Sequence, residues 1–152
     1  MMFNGNTTLT AIVLPDTITK IGERAFANCT NLESINIPNG VTEIPYAAFQ
    51  NCAKLTGTLT ISENVTSIGN QAFVGTGYTK LVYNAKSATS VSTMPNSPLF
   101  PATIAEVEFG AGVTKIPNSF MESNTSLTSI VIPEGVTEIG LYAFRMASAL
   151  VE

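Results

Sequence analysis

Histidine and tryptophan are absent from the 152 residues of this chain, and Asp16 is the only aspartate. Histidine is the side chain that proteins use most often as a general base and as a metal ligand. The sequence also lacks a glycine-rich loop of the kind that binds phosphate, and its glutamates are scattered. We therefore expect a protein that is not an enzyme, with no catalytic residue, no cofactor and no metal site.

Charged residues are scarce as well. They make up 12% of the chain, well below the roughly 25% that is usual for soluble domains. The formal net charge is -4 and no cluster of lysine and arginine occurs, which argues against nucleic acid as a partner. No apolar run approaches the roughly 18 residues that a membrane-spanning helix needs, so we expect no membrane insertion.

What the sequence does contain is a repeat. Apolar anchor residues recur every 23 residues, with a single gap of 26, at Leu9, Leu32, Leu55, Leu81, Ile104, Leu127 and Leu150. Phenylalanines follow the same rhythm at Phe26, Phe49, Phe73, Phe120 and Phe144, with Phe100 as a looser match. Self-similarity with a period of 20 to 29 residues is typical of a solenoid.

One period has a simple internal pattern. Ile35 and Ile37 alternate with polar residues, which predicts a short strand with one buried face. Pro38 ends that strand because proline has no N–H to donate. Residues 41–44 predict a second short strand, and residues 46–52 a single helical or 3₁₀ turn that points Phe49 inward. Because one such coil cannot cover its own apolar side, the coils must stack with like residues in contact.

The pattern L-x-x-I-x-I-P-x-x-V-T-x-I-G-x-x-A-F-x-x-C resembles the BspA-like leucine-rich repeat family, found chiefly in surface and secreted proteins of bacteria and some protists. Residues 32–52 and 127–144 match it almost position for position. The resemblance implies a right-handed leucine-rich repeat solenoid of about six stacked coils, in the α/β class but β-dominated, with short helical or 3₁₀ turns. It also implies an extracellular or cell-surface location.

We expect one domain over residues 1–152, with units that start at Leu9, Leu32, Leu55, Leu81, Ile104 and Leu127. The third unit is one residue longer than its neighbours, and a bulge near Gly57 would absorb the extra residue. The unit at 81–103 is irregular, and Pro95, Pro98 and Pro101 predict a looped excursion over residues 84–103. Long loops on rigid scaffolds often have a function, although an insertion that the solenoid merely tolerates is the alternative.

Cys29 and Cys52 occupy the same place in adjacent units. Stacking would bring their Cα atoms to about 5 Å, which is within disulfide range. Small residues fill that place elsewhere, at Thr76 and Ala147, so the repeat favours two free, buried thiols. A disulfide is the alternative, and two cysteines alone make no zinc cluster.

The exposed rows of the strand face are the remaining place for a function. The residues expected there that are most suited to bind a partner are Tyr83, Glu106, Glu108, Asn36 and Glu33. Glu106 and Glu108 could reach the spacing of a glycosidase pair, but nothing in the sequence indicates an enclosed site. We interpret the two as a solvated acidic patch.

The resemblance implies a non-catalytic protein-binding or adhesion module, acting through the concave strand face or the 84–103 loop. Its partner would be a protein of the host matrix or cell surface, or a glycan; a structural spacer without a ligand is the alternative. The first ten residues contain no signal peptide, and no polar cap closes either end of the stack. We therefore expect a fragment of a larger protein or a chain that self-associates end to end.

Overall fold

The structure, a computed structural model, describes residues 2–90 and 96–151. The chain winds into a β-solenoid of about five turns, close to the six coils predicted. Each coil contributes one or two short strands joined by turns. The strands are β1 (Ala11–Ile12), β2 (Ser34–Ile35), β3 (Glu43–Ile44), β4 (Thr56–Ile61), β5 (Ser67–Ile68), β6 (Gly77–Tyr83), β7 (Thr89–Ser90), β8 (Glu106–Phe109), β9 (Lys115–Ile116) and β10 (Glu138–Ile139).

All described strand pairs are parallel, because each coil repeats the direction of the one before it. The first row of strands, predicted from the alternation at Ile35, contains the pair β1–β2 and the sheet β4–β6–β8. The second row, predicted from residues 41–44 and their equivalents, contains the sheet β3–β5–β7 and the pair β9–β10. The two rows are therefore those that the repeat predicts.

The phenylalanine ladder is a parallel stack from Phe3 to Phe100, beyond which Phe120 and Phe144 meet their neighbours in the ladder edge to face. The rings of Phe26 and Phe49 lie 5.6 Å apart and within 1° of parallel, and those of Phe49 and Phe73 lie 5.2 Å apart at 8°. Phe3 and Phe100 extend the stack at its two ends, at 5.4 and 5.6 Å. Side chains of one type thus lie on side chains of the same type, which makes the core a set of columns.

The threonines that follow Val65, Val113 and Val136 link neighbouring coils by hydrogen bonds from their side chains. The hydroxyl of Thr66 donates to the carbonyl of Thr42 at 3.1 Å, and that of Thr137 donates to the carbonyl of Thr114 at 3.3 Å. A hydrogen bond of this kind contributes about 0.5–1.5 kcal/mol. The recurring Val-Thr pair therefore provides one buried apolar residue and one link between coils.

The expected helical or 3₁₀ turn is instead a series of consecutive turns. Ala47 and Asn51 have φ values of 53° and 60°, and similar values recur in every coil. A left-handed residue every few positions interrupts the i→i+4 hydrogen bonds of a helix. Every second N–H group of these turns donates to a carbonyl of the next coil. The N–H of Phe49, for example, donates to the carbonyl of Ala72 at 2.9 Å.

The bulge predicted near Gly57 is present. The register of β4 against β6 shifts between Gly57 and Thr58, and Gly57 has a φ of 78° that suits glycine. The pairing skips Thr79, so β6 has one residue more than β4 at this point, and Leu59 and Ile61 of β4 remain buried.

The predicted start of the fourth unit at Leu81 is wrong. Leu81 lies opposite Leu59 in β4 and Val107 in β8, so it belongs to the second apolar position of the strand rather than to the anchor column. Tyr78, which is 7% exposed, precedes it on the same strand and fills the inner place there. The gap of 26 residues therefore runs from Tyr78 to Ile104 and not from Leu55 to Leu81.

The irregular unit keeps a second strand, contrary to expectation. Thr89 and Ser90 pair with Ser67 and Ile68 of β5, although no apolar residue marks the position. The chain returns to the stack at Leu99 and Phe100, which are both buried. Pro95 lies outside the described residues, whereas Pro98 and Pro101 flank Leu99 and Phe100 in the segment that rejoins the stack.

Both cysteines are free and buried. The Cys29 thiol donates to the carbonyl of Phe3 and the Cys52 thiol to that of Phe26, each at 3.0 Å. Burial raises the pKa of Cys52 to about 12, so the thiol stays protonated and unreactive at neutral pH.

Because Phe49 is fully buried and stacks between Phe26 and Phe73, we predict that Phe49→Ala lowers the free energy of unfolding by about 3–5 kcal/mol. Urea denaturation followed by circular dichroism measures the loss. Phe3→Ala is the matched control, since Phe3 is only half-buried and its loss should be smaller. A loss for Phe49→Ala no larger than that for Phe3→Ala would show that burial between two neighbouring rings does not add to the stability of the fold.

Candidate functional site

The central sheet β4–β6–β8 presents one of its two faces to solvent. Alternation along each strand turns every second side chain outward, and the register places the outward residues of the three strands side by side. One line across the sheet is Thr58, Lys80 and Glu106, and the next is Thr60, Val82 and Glu108. We call these six residues the strand face.

Charges on the strand face are concentrated around one lysine. The ammonium of Lys80 lies 2.7 Å from Oε1 of Glu106 and 3.2 Å from Oε2 of Glu108. The two carboxylates, with Glu106 first, raise the pKa of Lys80 by hydrogen bonding to its charged form. Both glutamate side chains remain 63% exposed, so the cluster is an open surface with one carboxylate in excess.

Glu106 and Glu108 therefore lie where the sequence predicts them, and they share a lysine that the sequence analysis missed. Lys80 was missed because an alignment that takes Leu81 as the anchor of the fourth unit puts Tyr83, rather than Lys80, in line with Thr58 and Glu106. The exposure of both carboxylates also fits a solvated patch rather than the enclosed acid pair that a glycosidase needs.

The prediction that Tyr83 is exposed and available to a partner is wrong. Its side chain is fully buried and contacts the edges or faces of Phe100, Phe109 and Phe120, with ring centroids 6.4, 6.1 and 5.1 Å away at nearly perpendicular angles. Burial raises the pKa of its hydroxyl, and that hydroxyl has no hydrogen-bond partner within residues 2–90 and 96–151. Because Tyr83 pairs with Ile61 and Phe109, it points inward like them.

Asn36 and Glu33 are exposed as predicted but have local partners. The Asn36 amide accepts from the N–H of Leu14 at 2.7 Å and donates to its carbonyl at 2.8 Å, which ties the first two coils together. Glu33 lies 3.5 Å from Lys54. Neither residue is part of the Lys80 cluster.

A buried carboxylate that the sequence analysis did not single out fixes the return of the irregular unit. Glu122, whose side chain is fully buried, accepts from the N–H of Asn96 at 2.8 Å and from that of Ser97 at 3.2 Å. The guanidinium of Arg145, from the following coil, lies 2.9 Å from the same carboxylate and 3.2 Å from the side-chain oxygen of Asn96. We call these four residues the Glu122 clamp.

The pKa of Glu122 reflects the balance of two effects. Burial alone would raise it, but the N–H of Asn96, the guanidinium of Arg145 and the N–H of Ser97 together lower it below the ordinary value of 4.5. A carboxylate that accepts several hydrogen bonds in its charged form resists protonation. The Glu122 clamp is therefore ionised at neutral pH.

The described part of the chain has neither a cluster of metal-binding side chains nor a membrane-spanning helix. Within residues 2–90 and 96–151, no three histidine, cysteine, aspartate or glutamate side chains converge closely enough to hold a metal ion. That part of the chain also contains no helix with the length and apolarity to cross a membrane.

Comparison with known families identifies the repeat. The family model for the BspA type leucine rich repeat region, with six copies, matches residues 1–122 and 57–152, which overlap and together span the chain. The chain belongs to the BspA-type leucine-rich repeat family. No curated protein matches the sequence.

Solved structures share the fold at low sequence identity. A leucine-rich repeat protein from Eubacterium ventriosum ATCC 27560 is similar with a TM-score of 0.62 and 20% identity, over 94% of this chain and 44% of that one. A leucine rich cell surface protein from Faecalibacterium prausnitzii A2-165 matches with a TM-score of 0.49 and 20% identity, over 93% of this chain and 52% of that one. The BspA-type chain thus spans about half the length of these two proteins.

We predict that Tyr83→Phe in this BspA-type repeat is neutral or raises the free energy of unfolding by up to about 1–3 kcal/mol, because the change removes a buried hydroxyl without a partner. Thermal denaturation of the two proteins measures the difference. Tyr142→Phe is the control, since Tyr142 is 37% exposed. A clear destabilisation by Tyr83→Phe alone would mean that the hydroxyl does make a hydrogen bond.

For the Glu122 clamp we predict that Glu122→Gln lowers the free energy of unfolding at pH 7 by about 1–3 kcal/mol, because it removes a charged hydrogen-bond acceptor. The folded-state pKa is lower than the ordinary value of 4.5. The contribution of the charge is therefore complete above pH 4.5 and is lost as the pH falls through the folded-state pKa.

The measurement is urea denaturation of wild type and Glu122→Gln from pH 7 to pH 3. The difference between them should be constant down to about pH 4.5 and should shrink below it. Glu134→Gln, at an exposed position, should stay within about 0.5 kcal/mol of wild type. A difference that does not depend on pH would contradict the assigned role of the charge.

Proposed function

We propose that this chain is a non-catalytic protein-binding or adhesion module of a bacterial cell-surface or secreted leucine-rich repeat protein, and that the strand face contacts the partner. Membership of the BspA-type family supports the general class, since leucine-rich repeats typically mediate protein interactions. The surface location rests on the resemblance described above. The partner itself would be a protein of the host matrix or of a cell surface.

The observation that supports the strand face most strongly is the sharing of one ammonium by two carboxylates. Lys80 neutralises only one of the charges of Glu106 and Glu108, and both carboxylates lie on β8, which hydrogen bonding to β6 holds in place. A preformed surface with an excess negative charge favours a partner with lysine or arginine at the contact, because complementary charges speed association and fix orientation. The small outward side chains of Thr58 and Thr60 leave room for such a segment.

The 84–103 loop remains a second contact surface in this proposal. Its return is fixed by the Glu122 clamp, so the described part of the loop near Asn96 has a defined position. End-to-end association between copies also stays a prediction.

The proposal is tested with a panel of purified extracellular-matrix proteins immobilised on a sensor surface. We predict that wild type binds at least one of them and that the double variant Glu106→Gln with Glu108→Gln weakens that binding by a factor of about 2 to 10, because exposed ion pairs contribute about 0.2–1 kcal/mol each. The binding should also weaken as salt is raised.

The matched control is Glu23→Gln with Glu134→Gln, which makes the same change of charge at two other exposed positions. It should bind as wild type does. If wild type binds no matrix or cell-surface protein, the structural-spacer alternative gains support. If the control loses as much affinity as the double variant, net charge and not the strand face governs binding.

A further inference from the structure

A groove opens where the first row of strands is interrupted. Among the described strands β2 has no hydrogen-bonded partner on the side of β4, and Gly57, near the start of β4, has a φ of 78°. A cavity of 270 Å³ is lined by Ile35 and Asn36 from one coil and by Thr58 and Leu59 from the next. The unpaired edge of β2 therefore leaves a gap between two coils.

A second, larger cavity of 410 Å³ continues the first. It lies beyond the carboxyl ends of β4, β6 and β8, where Asn84 and the segment 110–112 follow the strands. Asn39, Thr60 and Ser62 border both cavities, so the two form one continuous depression, which we call the polar groove. The volume of the larger part lies within the range of about 300–1,000 Å³ that is usual for small-molecule sites.

Several polar side chains in the polar groove are free to bind a ligand. The amides of Asn39 and Asn84 and the hydroxyl of Thr60 make no side-chain hydrogen bond within residues 2–90 and 96–151. Each amide offers two donors and one carbonyl acceptor, and the hydroxyl offers both functions. Adjacent donors and acceptors of this kind match the adjacent hydroxyls of a sugar.

The position of Asn84 depends on a glycine. A Cβ atom added at Gly110 would lie 2.5 Å from Oδ1 of Asn84, which is closer than real contacts allow. Any other residue at position 110 would therefore displace the amide. Glycine at position 110 therefore leaves the space that the Asn84 amide occupies.

The charges that line the larger cavity cancel. Lys86 and Glu63 are its only charged lining residues, and their side chains lie 2.8 Å apart. A phosphate or a carboxylate would find no uncompensated cation there, and a basic ligand no uncompensated carboxylate. The electrostatics thus favour a neutral, hydrogen-bonding ligand.

We propose that the polar groove binds a short neutral oligosaccharide, with Asn39 and Asn84 donating to and accepting from ring hydroxyls. Tyr78 borders the smaller cavity, but among the described residues no aromatic one lines the larger cavity, so hydrogen bonds provide the affinity there. Because water competes for each of them, the net contribution per bond is small and binding is weak. The site is separate from the charged cluster of Lys80, so this inference stands independently of the proposed protein partner.

Saturation-transfer NMR and calorimetry with lactose, mannotriose and chitotriose test the proposal, with 3′-sialyllactose as an acidic comparison. At least one neutral sugar should bind wild type. Asn39→Ala combined with Asn84→Ala should raise its Kd about tenfold, as expected from the loss of two amide partners. Asn39→Ala alone, at an exposed turn position, gives a smaller rise with little effect on folding.

A blocking variant provides a second readout. Ala111→Trp places a large ring at an exposed position that lines the larger cavity and should abolish sugar binding. Ala105→Trp, at another exposed alanine, is the matched control and should leave binding unchanged. Melting temperatures confirm that each variant is folded.

Three results would overturn the proposal: no neutral sugar binds, a sugar binds equally well to wild type and Ala111→Trp, or 3′-sialyllactose binds while lactose does not. The Glu106→Gln and Glu108→Gln pair should leave sugar binding unchanged. Loss of protein binding and loss of sugar binding are thus recorded by different variants.

Discussion

Hydrogen bonds between successive coils are the constraint on which the rest of the structure depends. Within residues 2–90 and 96–151 no coil contains a helix, and turn hydrogen bonds such as that from the N–H of Cys52 to the carbonyl of Phe49 satisfy only some of the backbone N–H groups of a coil. Many of the remaining N–H groups point out of the coil. They donate to the next coil instead, as Phe26 does to Ala48 and Phe49 to Ala72, both at 2.9 Å. A buried N–H without a partner is costly, so every coil must repeat the geometry of its neighbours. The columns of like side chains follow from this requirement.

The same constraint explains where distinctive chemistry can occur. In a regular column each position is occupied by the same kind of residue in every coil, which gives a surface without a unique site. Distinctive arrangements occur where the period changes. The shift in strand register at Gly57 lies next to the polar groove. The Glu122 clamp lies where the chain rejoins the stack after the excursion that follows Tyr83. Features that depart from the repeat are therefore the better candidates for function.

The regular part of the fold could be predicted from the sequence because several coils specify each column independently. Phe26, Phe49 and Phe73 agree with one another, so an error in one unit would be evident from the others. The fourth unit lacked such support. By spacing alone the fourth unit can be anchored at Leu81 or at Tyr78, and only the pairing of Leu81 with Leu59 and Val107 distinguishes the two alignments.

The burial of Tyr83 and the role of Lys80 were missed together, since both depend on that alignment. Asn36 and Glu122 were unpredictable for another reason. Their partners are backbone groups of Leu14, Asn96 and Ser97, and every residue offers the same backbone groups. A sequence pattern therefore contains no signal for such a contact until the coils are placed on one another.

The two proposed surfaces are neighbours, and their relation limits what can occupy them together. Thr60 lies on the strand face opposite Val82, and it also borders the polar groove. An occupant of the groove would therefore approach the row that contains Glu108. If both proposals hold, one glycosylated protein with a basic segment next to its glycan would satisfy both surfaces, whereas two separate large partners would compete for Thr60. Competition between a sugar and a protein partner would thus indicate contact at this shared edge, even though different side chains determine each affinity.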